Sequence, residues 1–210
     1  MLNIVILVSG GGTNLQAIID ACNSGIIKSG RISGVISSNP GAYALTRAAD
    51  NNIPTAVVER RSFDSAELFD DALTQKIEQF GADLVVLAGF MSILGEKLVT
   101  KFSNKIINVH PALIPSFCGK GFYGLRVHQA ALDYGVKVTG ATVHFVNEIP
   151  DGGAVILQKA VDILQGDTAE TLQKRVMEQA EWKLLPEAIE LFCSGKLSVV
   201  DNKAIINGGI

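Results

Sequence analysis

Five short apolar runs, at residues 3–8, 31–37, 55–58, 84–88 and 105–109, are separated by amphipathic stretches with helical spacing. A run that is apolar at nearly every position is buried on both faces, and strands buried in that way belong to parallel sheets whose crossovers are helices. The alternation predicts an α/β fold: a Rossmann-like, mainly parallel sheet with helices on both faces and right-handed crossovers. Ligands then belong at the carboxyl ends of the strands. The intervening helices are expected to begin near Asn14, Ala42, Asp64 and Leu94, with Asp64 as the N-cap ahead of Glu67.

Beyond Pro111 the pattern changes. An irregular glycine-rich loop runs to Gly124, a helix is expected over 125–134, and two strands over 136–146 and 154–161. A long helix from about 168 to 193 follows, which Pro186 is expected either to kink or to restart. Residues 197–206, with Asp201-Asn202 between apolar runs, have the pattern of a small hairpin. No repeat, linker or low-complexity tract divides the 210 residues, so one domain is expected.

Composition narrows the possible partners. Hydrophobic residues make up 48% and charged residues 19%, enough apolar material for a large core. Lys and Arg number 18 against 21 Asp and Glu, without a basic run, which disfavours nucleic acid and membrane surfaces. The apolar N-terminus lacks a basic leader, is too short to span a bilayer and ends in a glycine turn, so it reads as a first strand. Three widely spaced cysteines, Cys22, Cys118 and Cys193, form no disulfide framework and fit a reducing cytoplasm.

Three motifs carry chemistry. Ser9-Gly10-Gly11-Gly12-Thr13-Asn14 lies between the first strand and the first helix, where glycines allow close approach and free amides at a helix start attract a phosphate. Its spacing is neither GxGxxG nor a Walker loop. Asn108-Val109-His110-Pro111 closes the fifth strand. Residues two apart share a face, so the Asn108 amide and the His110 imidazole point together and suit hydrogen bonding to an oxyanion. Asp151 lies in a Pro-Asp-Gly turn; beside His110 it would favour the charged imidazole and relay a proton through water. His144 is expected to pack beneath the site, and His128 lies on the helix after the loop. No metal-ligand spacing is present, so no metal is expected. Cys118 has no activating base near it in sequence and reads as a bystander thiol.

Taken together, residues 9–16 (SGGGTNLQ), 86–94 (VLAGFMSIL), 107–115 (INVHPALIP) and 140–153 (GATVHFVNEIPDGG) make the chain closely resemble the folate-dependent phosphoribosylglycinamide formyltransferases of purine synthesis. The resemblance implies formyl transfer from 10-formyltetrahydrofolate, a co-substrate, to the amine of glycinamide ribonucleotide. Asn108, His110 and Asp151 match the family's catalytic trio. Gly11, Gly12, Thr13 and Asn14 match its phosphate loop, and Glu181 matches a carboxylate that receives the substrate's amino end. Met91, Ser92, Ile93 and Leu94, with the loop around Asp151, match the folate site. Residues 1–110 would form the ribonucleotide-binding half of one formyltransferase domain spanning 1–210, and 111–210 the folate and catalytic-loop half. A homodimer is among the assemblies this allows.

The chain departs from the family pattern at four places. Ser92 stands where many relatives carry Arg, Ala66 replaces an Arg frequent after the FDS segment, Pro150 precedes Asp151 where Leu or Val is usual, and Trp182 follows Glu181 where His is common. Methionyl-tRNA formyltransferase shares the Asn-x-His and Asp arrangement but has a different first loop and an additional C-terminal domain, and formyltetrahydrofolate deformylase, a hydrolase, shares the core but usually carries an N-terminal regulatory domain. A noncatalytic nucleotide-binding module would need no such trio.

Overall fold

The structure, a computed structural model, describes residues 1–208. Its centre is a seven-stranded sheet made of β1 (Leu2–Val8), β2 (Gly30–Ser37), β3 (Thr55–Val57), β4 (Leu84–Leu87), β5 (Ile106–His110), β6 (Val138–Phe145) and β7 (Val155–Asp162). The strand order is β3-β2-β1-β4-β5-β6-β7. The first five strands run parallel, and β6 and β7 are antiparallel additions. The expected fold class is therefore the observed one.

The period-two geometry of a strand splits its side chains between two cores. Ile4, Ile6 and Val8 of β1 enter one core, while Val5 and Leu7 enter the other. The first core is covered by α1 (Thr13–Asn23), α2 (Tyr43–Asp50), α6 (Ala169–Val176) and α7 (Trp182–Cys193). The second is covered by α3 (Ala66–Gln79), through Phe69, Leu73 and Ile77, and by the short α4 (Glu96–Lys101). Because the chain winds outward from β1 to β3 and then returns to β4 on the other side of β1, the loops after β1 and β4 diverge and leave a crevice at their carboxyl ends.

Several local expectations need correction. Helix α3 is capped by Ser65, whose side chain accepts from the Leu68 N–H at 3.1 Å, and not by Asp64. The fourth helix starts at Glu96 rather than near Leu94, with Asp70 of α3 accepting from the Gly95 N–H at its entrance. The long C-terminal helix is interrupted by a π turn at Met177–Glu181, ahead of Pro186, which lies buried inside α7. Such a wide turn is characteristic of functional positions, and here it directs Glu181 inward. The hairpin of β8 (Leu197–Val200) and β9 (Lys203–Ile206) turns on Asp201 and Asn202, with φ of 49° and 55°, the left-handed pair that a two-residue hairpin requires. Among the described residues no helix is long and apolar enough to cross a membrane.

Helix α5 (Leu125–Tyr134) follows the glycine-rich loop and buries Val127, His128 and Ala131. His128 is fully buried, and neither ring nitrogen has a hydrogen-bond partner. Burial, reinforced by the nearby His110, pushes its pKa down to about 4. The folded chain therefore keeps His128 neutral while the unfolded chain protonates it below about pH 6.5. Stability is expected to fall between these two values as pH drops, by about 3 kcal/mol in total. Denaturant unfolding of His128→Leu at pH 7 and pH 4 should show a smaller acid loss than the parent by that amount; equal losses would assign the acid sensitivity elsewhere.

Candidate active site

The turn after β1 places an anion-binding surface at the crevice. Gly12, with φ of 73°, is the N-cap of α1, and a Cβ there would lie 2.7 Å from the Ala44 Cβ. No side chain caps α1, so the first-turn amides remain free, and a Cβ added at Gly10 or Gly11 would meet nothing within 4 Å. Arg47 adds a cation here. Its Nε donates to the Gly11 carbonyl at 2.8 Å and Nη1 to Gln16 Oε1 at 3.1 Å, while the guanidinium lies 5.0 Å from the Tyr43 ring centroid. Sequence reasoning missed Arg47, since nothing in the local pattern ties α2 to the first loop.

Asn14 departs from its expected place. Its backbone belongs to the loop, but its buried side chain points inward and donates from Nδ2 to Glu181 Oε2 at 2.6 Å. Asn14 Oδ1 is buried without a partner. Burial raises the Glu181 carboxyl to about 7, an effect only partly offset by the Asn14 hydrogen bond. Two acceptors without an opposing cation thus lie together beneath the loop. Thr13, for its part, directs its hydroxyl toward Met177 Sδ at 3.7 Å.

At the end of β5, Asn108 and His110 share a face, as strand periodicity requires. Antiparallel β6 sets His144 opposite Asn108 and Thr142 opposite His110. His110 Nε2 donates to the Phe117 carbonyl at 2.8 Å, which leaves Nδ1 facing Asp151 Oδ2 at 3.6 Å. Asp151 takes a left-handed φ of 56°, a conformation that Asp tolerates better than most residues, and its Oδ2 accepts from the Gly119 N–H at 2.8 Å. His144 was expected to pack beneath the site and does so at 1% exposure. It also touches Asn108 and Asp151, with Nε2 3.1 Å from Asn108 Nδ2 and 3.5 Å from Asp151 Oδ1. That second role depends on strand register, which the sequence does not display.

The charge balance differs from expectation. Burial pushes the His110 pKa below its ordinary value and outweighs the opposing pull of Asp151 and of the Phe117 carbonyl. The pull of Asp151 toward the charged imidazole is thus the smaller influence. For Asp151 itself, burial acts upward, but contact with His144, the Gly119 N–H and His110 together hold the carboxyl below the usual range. The glycine-rich loop thus closes over the pair through two backbone groups. Phe117, at φ 49°, packs edge-on against Phe122 and Tyr134. Burial and the Asp151 carboxylate both raise the Cys118 thiol pKa, which disfavours the reactive thiolate.

Met91 and Ile93 expose apolar side chains at 56% and 82%, and Ile149 does so at 65%. The Met91 N–H is tied to Ser9 Oγ at 2.9 Å, so this segment borders the glycine loop, whereas Leu94 turns toward the second core. Near it, Arg61 is paired with Glu59 at 2.6 Å, and Arg60 donates to the Phe63 carbonyl at 3.0 Å. A separate cavity of about 800 Å³ lies between α1 and α7, lined by Thr13, Gln16, Trp182, Pro186 and Leu191 among others, and includes none of Asn108, His110 or Asp151.

Comparison with known proteins places this geometry. Residues 2–189 match the formyl transferase family. The chain belongs to that family. It is 43% identical over 208 residues to the phosphoribosylglycinamide formyltransferase of Haemophilus influenzae, covering 99% of this chain and 95% of that one. It is 40% identical to the Escherichia coli protein of the same name, covering 99% and 94%. Among solved structures, glycinamide ribonucleotide transformylase 1 from Symbiobacterium toebii superposes with a TM-score of 0.92 at 42% identity, covering 99% of this chain and 94% of that one.

For this formyl transferase site, the dominance of burial over Asp151 has a direct test. The NMR titration of His110 in the unliganded protein should have its midpoint below about 6.5, and Asp151→Asn, which removes the opposing attraction, should lower it further. A midpoint above the ordinary histidine value would mean that Asp151 outweighs burial.

Proposed function

We propose that this chain transfers the formyl group of 10-formyltetrahydrofolate to the amine of glycinamide ribonucleotide, giving formylglycinamide ribonucleotide and tetrahydrofolate. The observation that carries the reading is the convergence of Asn108, His110 and Asp151 beside an uncapped glycine loop in a chain of this family. The phosphate of the ribonucleotide sits on the amides of Gly11, Gly12, Thr13 and Asn14, near Arg47. Glu181 and the unpartnered Asn14 Oδ1 receive its amino end. The pterin lies against Met91, Ser92, Ile93 and Leu94 and the turn carrying Asp151. One continuous sheet joining the two halves supports a single catalytic unit.

In this reading the neutral amine adds to the formyl carbon and pushes the carbonyl electrons onto oxygen, where an Asn108 amide N–H stabilises the charge. The attacking nitrogen, now cationic, passes a proton to Nδ1 of the neutral His110. The imidazolium so formed faces Asp151, 3.6 Å away, and adds its charge to the stabilisation of the oxyanion. The same proton then goes to the departing folate nitrogen as its bond to carbon breaks. No covalent enzyme intermediate is involved, and most of the rate comes from proximity and fixed dipoles.

The decisive experiment follows formyl product and tetrahydrofolate together, with and without ribonucleotide. Equal formation of both, dependent on the ribonucleotide, is the expected result; folate deformylation without it would make the chain a hydrolase. His110→Ala should lower kcat by about 10²- to 10⁴-fold while ribonucleotide binding persists. A second variant probes the amine site. Because burial raises the Glu181 pKa to about 7 in the fold, stability falls as pH rises from the ordinary carboxylate range to about 7, and the full cost is present above it. Glu181→Gln should raise the melting temperature at pH 8, where it relieves about 3 kcal/mol, yet weaken ribonucleotide binding. Loss of stability at that pH would mean the carboxylate is compensated in the free protein.

A further inference from the structure

The three-residue reading leaves unexplained how Asn108 comes to present an N–H, rather than its carbonyl, to a reacting oxygen. An amide side chain can rotate to either orientation, and only its hydrogen-bond partners decide between them. Among the described residues the one hydrogen-bond partner of the Asn108 side chain is His144 Nε2, at 3.1 Å. The two residues face each other directly across β5 and β6, so their side chains share a face.

The state of His144 is set from its far side. Its Nδ1 lies 2.8 Å from the Phe145 carbonyl, which can only accept, so Nδ1 carries the proton. In a neutral ring Nε2 is then a bare lone pair, which an amide N–H can satisfy and an amide oxygen cannot. Asp151 Oδ1 also faces Nε2, at 3.5 Å against 3.1 Å for the Asn108 amide, so the Asn108 contact is the shorter of the two. A protonated ring would reverse this arrangement: Nε2–H would be drawn to Asp151 and would repel the Asn108 N–H. His110 also lies near His144.

We propose that His144 is a positioning residue for Asn108: a neutral imidazole, protonated at Nδ1, whose Nε2 holds one amide hydrogen of Asn108 and thereby turns the other toward the formyl oxygen. The inference rests on the proposed site, since it assumes that Asn108 touches the reacting carbonyl. The chain carbonyl of Phe145, the ring of His144 and the amide of Asn108 then form one directed relay that ends at the oxyanion. It explains why a histidine with 1% exposure is kept in the strand where an apolar residue would pack at lower cost.

Two measurements test this. In protein labelled with ¹⁵N-histidine, which holds three histidines, the His144 resonances, assigned by their absence from His144→Gln, should show a protonated Nδ1 and an unprotonated Nε2 at neutral pH. An Nε2–H tautomer or an imidazolium would overturn the proposal, and this readout needs no folded alanine variant. In kinetics, His144→Ala should lower kcat by about 10²-fold, the cost of a misplaced catalytic group, with the ribonucleotide KM within about two-fold. His144→Gln, whose side-chain oxygen can accept from Asn108, should recover most of that loss.

The Asn108→Ala background separates the two readings. If Asn108→Ala alone leaves kcat near the parent value, the site assignment fails. If it is slow and His144→Ala lowers kcat by a further factor of the same size, Asn108 keeps its role and the positioning role of His144 is wrong. The expected result is that the second substitution adds little.

Discussion

Burial of the central strands on both faces is the constraint from which the rest of this molecule follows. β1, β4 and β5 have apolar side chains above and below the sheet, and helices must cover each side before either core is dry. Covering both faces forces the chain to wind outward from β1 to β3 and then return past β1 to β4. The loops at that reversal cannot pack on each other. A crevice is left where the glycine turn, the end of β5 and the Met91 segment come together, and the hydrogen bond from the Met91 N–H to Ser9 Oγ ties two of these edges.

The same burial governs the electrostatics. His110, His128 and Glu181 are each pushed toward their neutral forms by loss of water, and in each case burial is the largest influence. Asp151 is the exception because it collects a backbone N–H from Gly119 and two imidazole neighbours. Asp151 is therefore held toward its ionised form while burial holds these other groups toward their neutral ones. A proton accepted by His110 would meet a stabilising partner already in place, which favours the charged intermediate over the ground state.

The sheet was legible because its strands are short, almost wholly apolar and punctuated by glycine and proline. The glycine loop and the pair at 108 and 110 were legible for the same local reason, since a strand end followed by a turn is a short-range event. Boundaries that depend on competition between neighbouring polar residues were not. Ser65 displaced Asp64 as a cap, and the π turn at Met177–Glu181 preceded the proline that was expected to break the helix. Arg47 and the inward turn of Asn14 stayed hidden because their partners, Gly11 and Glu181, lie 36 and 167 residues away.

By itself the sequence determined the α/β class, the position of the crevice at the strand ends, and the residues whose chemistry suits acyl transfer, because each follows from periodicity or from a motif a few residues long. Tertiary structure alone decided the state of those groups. Register across β5 and β6 joined His144 to Asn108, burial pushed the His110 pKa down against the pull of Asp151, and the π turn carried Glu181 beneath the loop. Protonation and orientation depend on how much water and which dipoles surround a side chain, and those are properties of the assembled core that no local stretch of sequence contains.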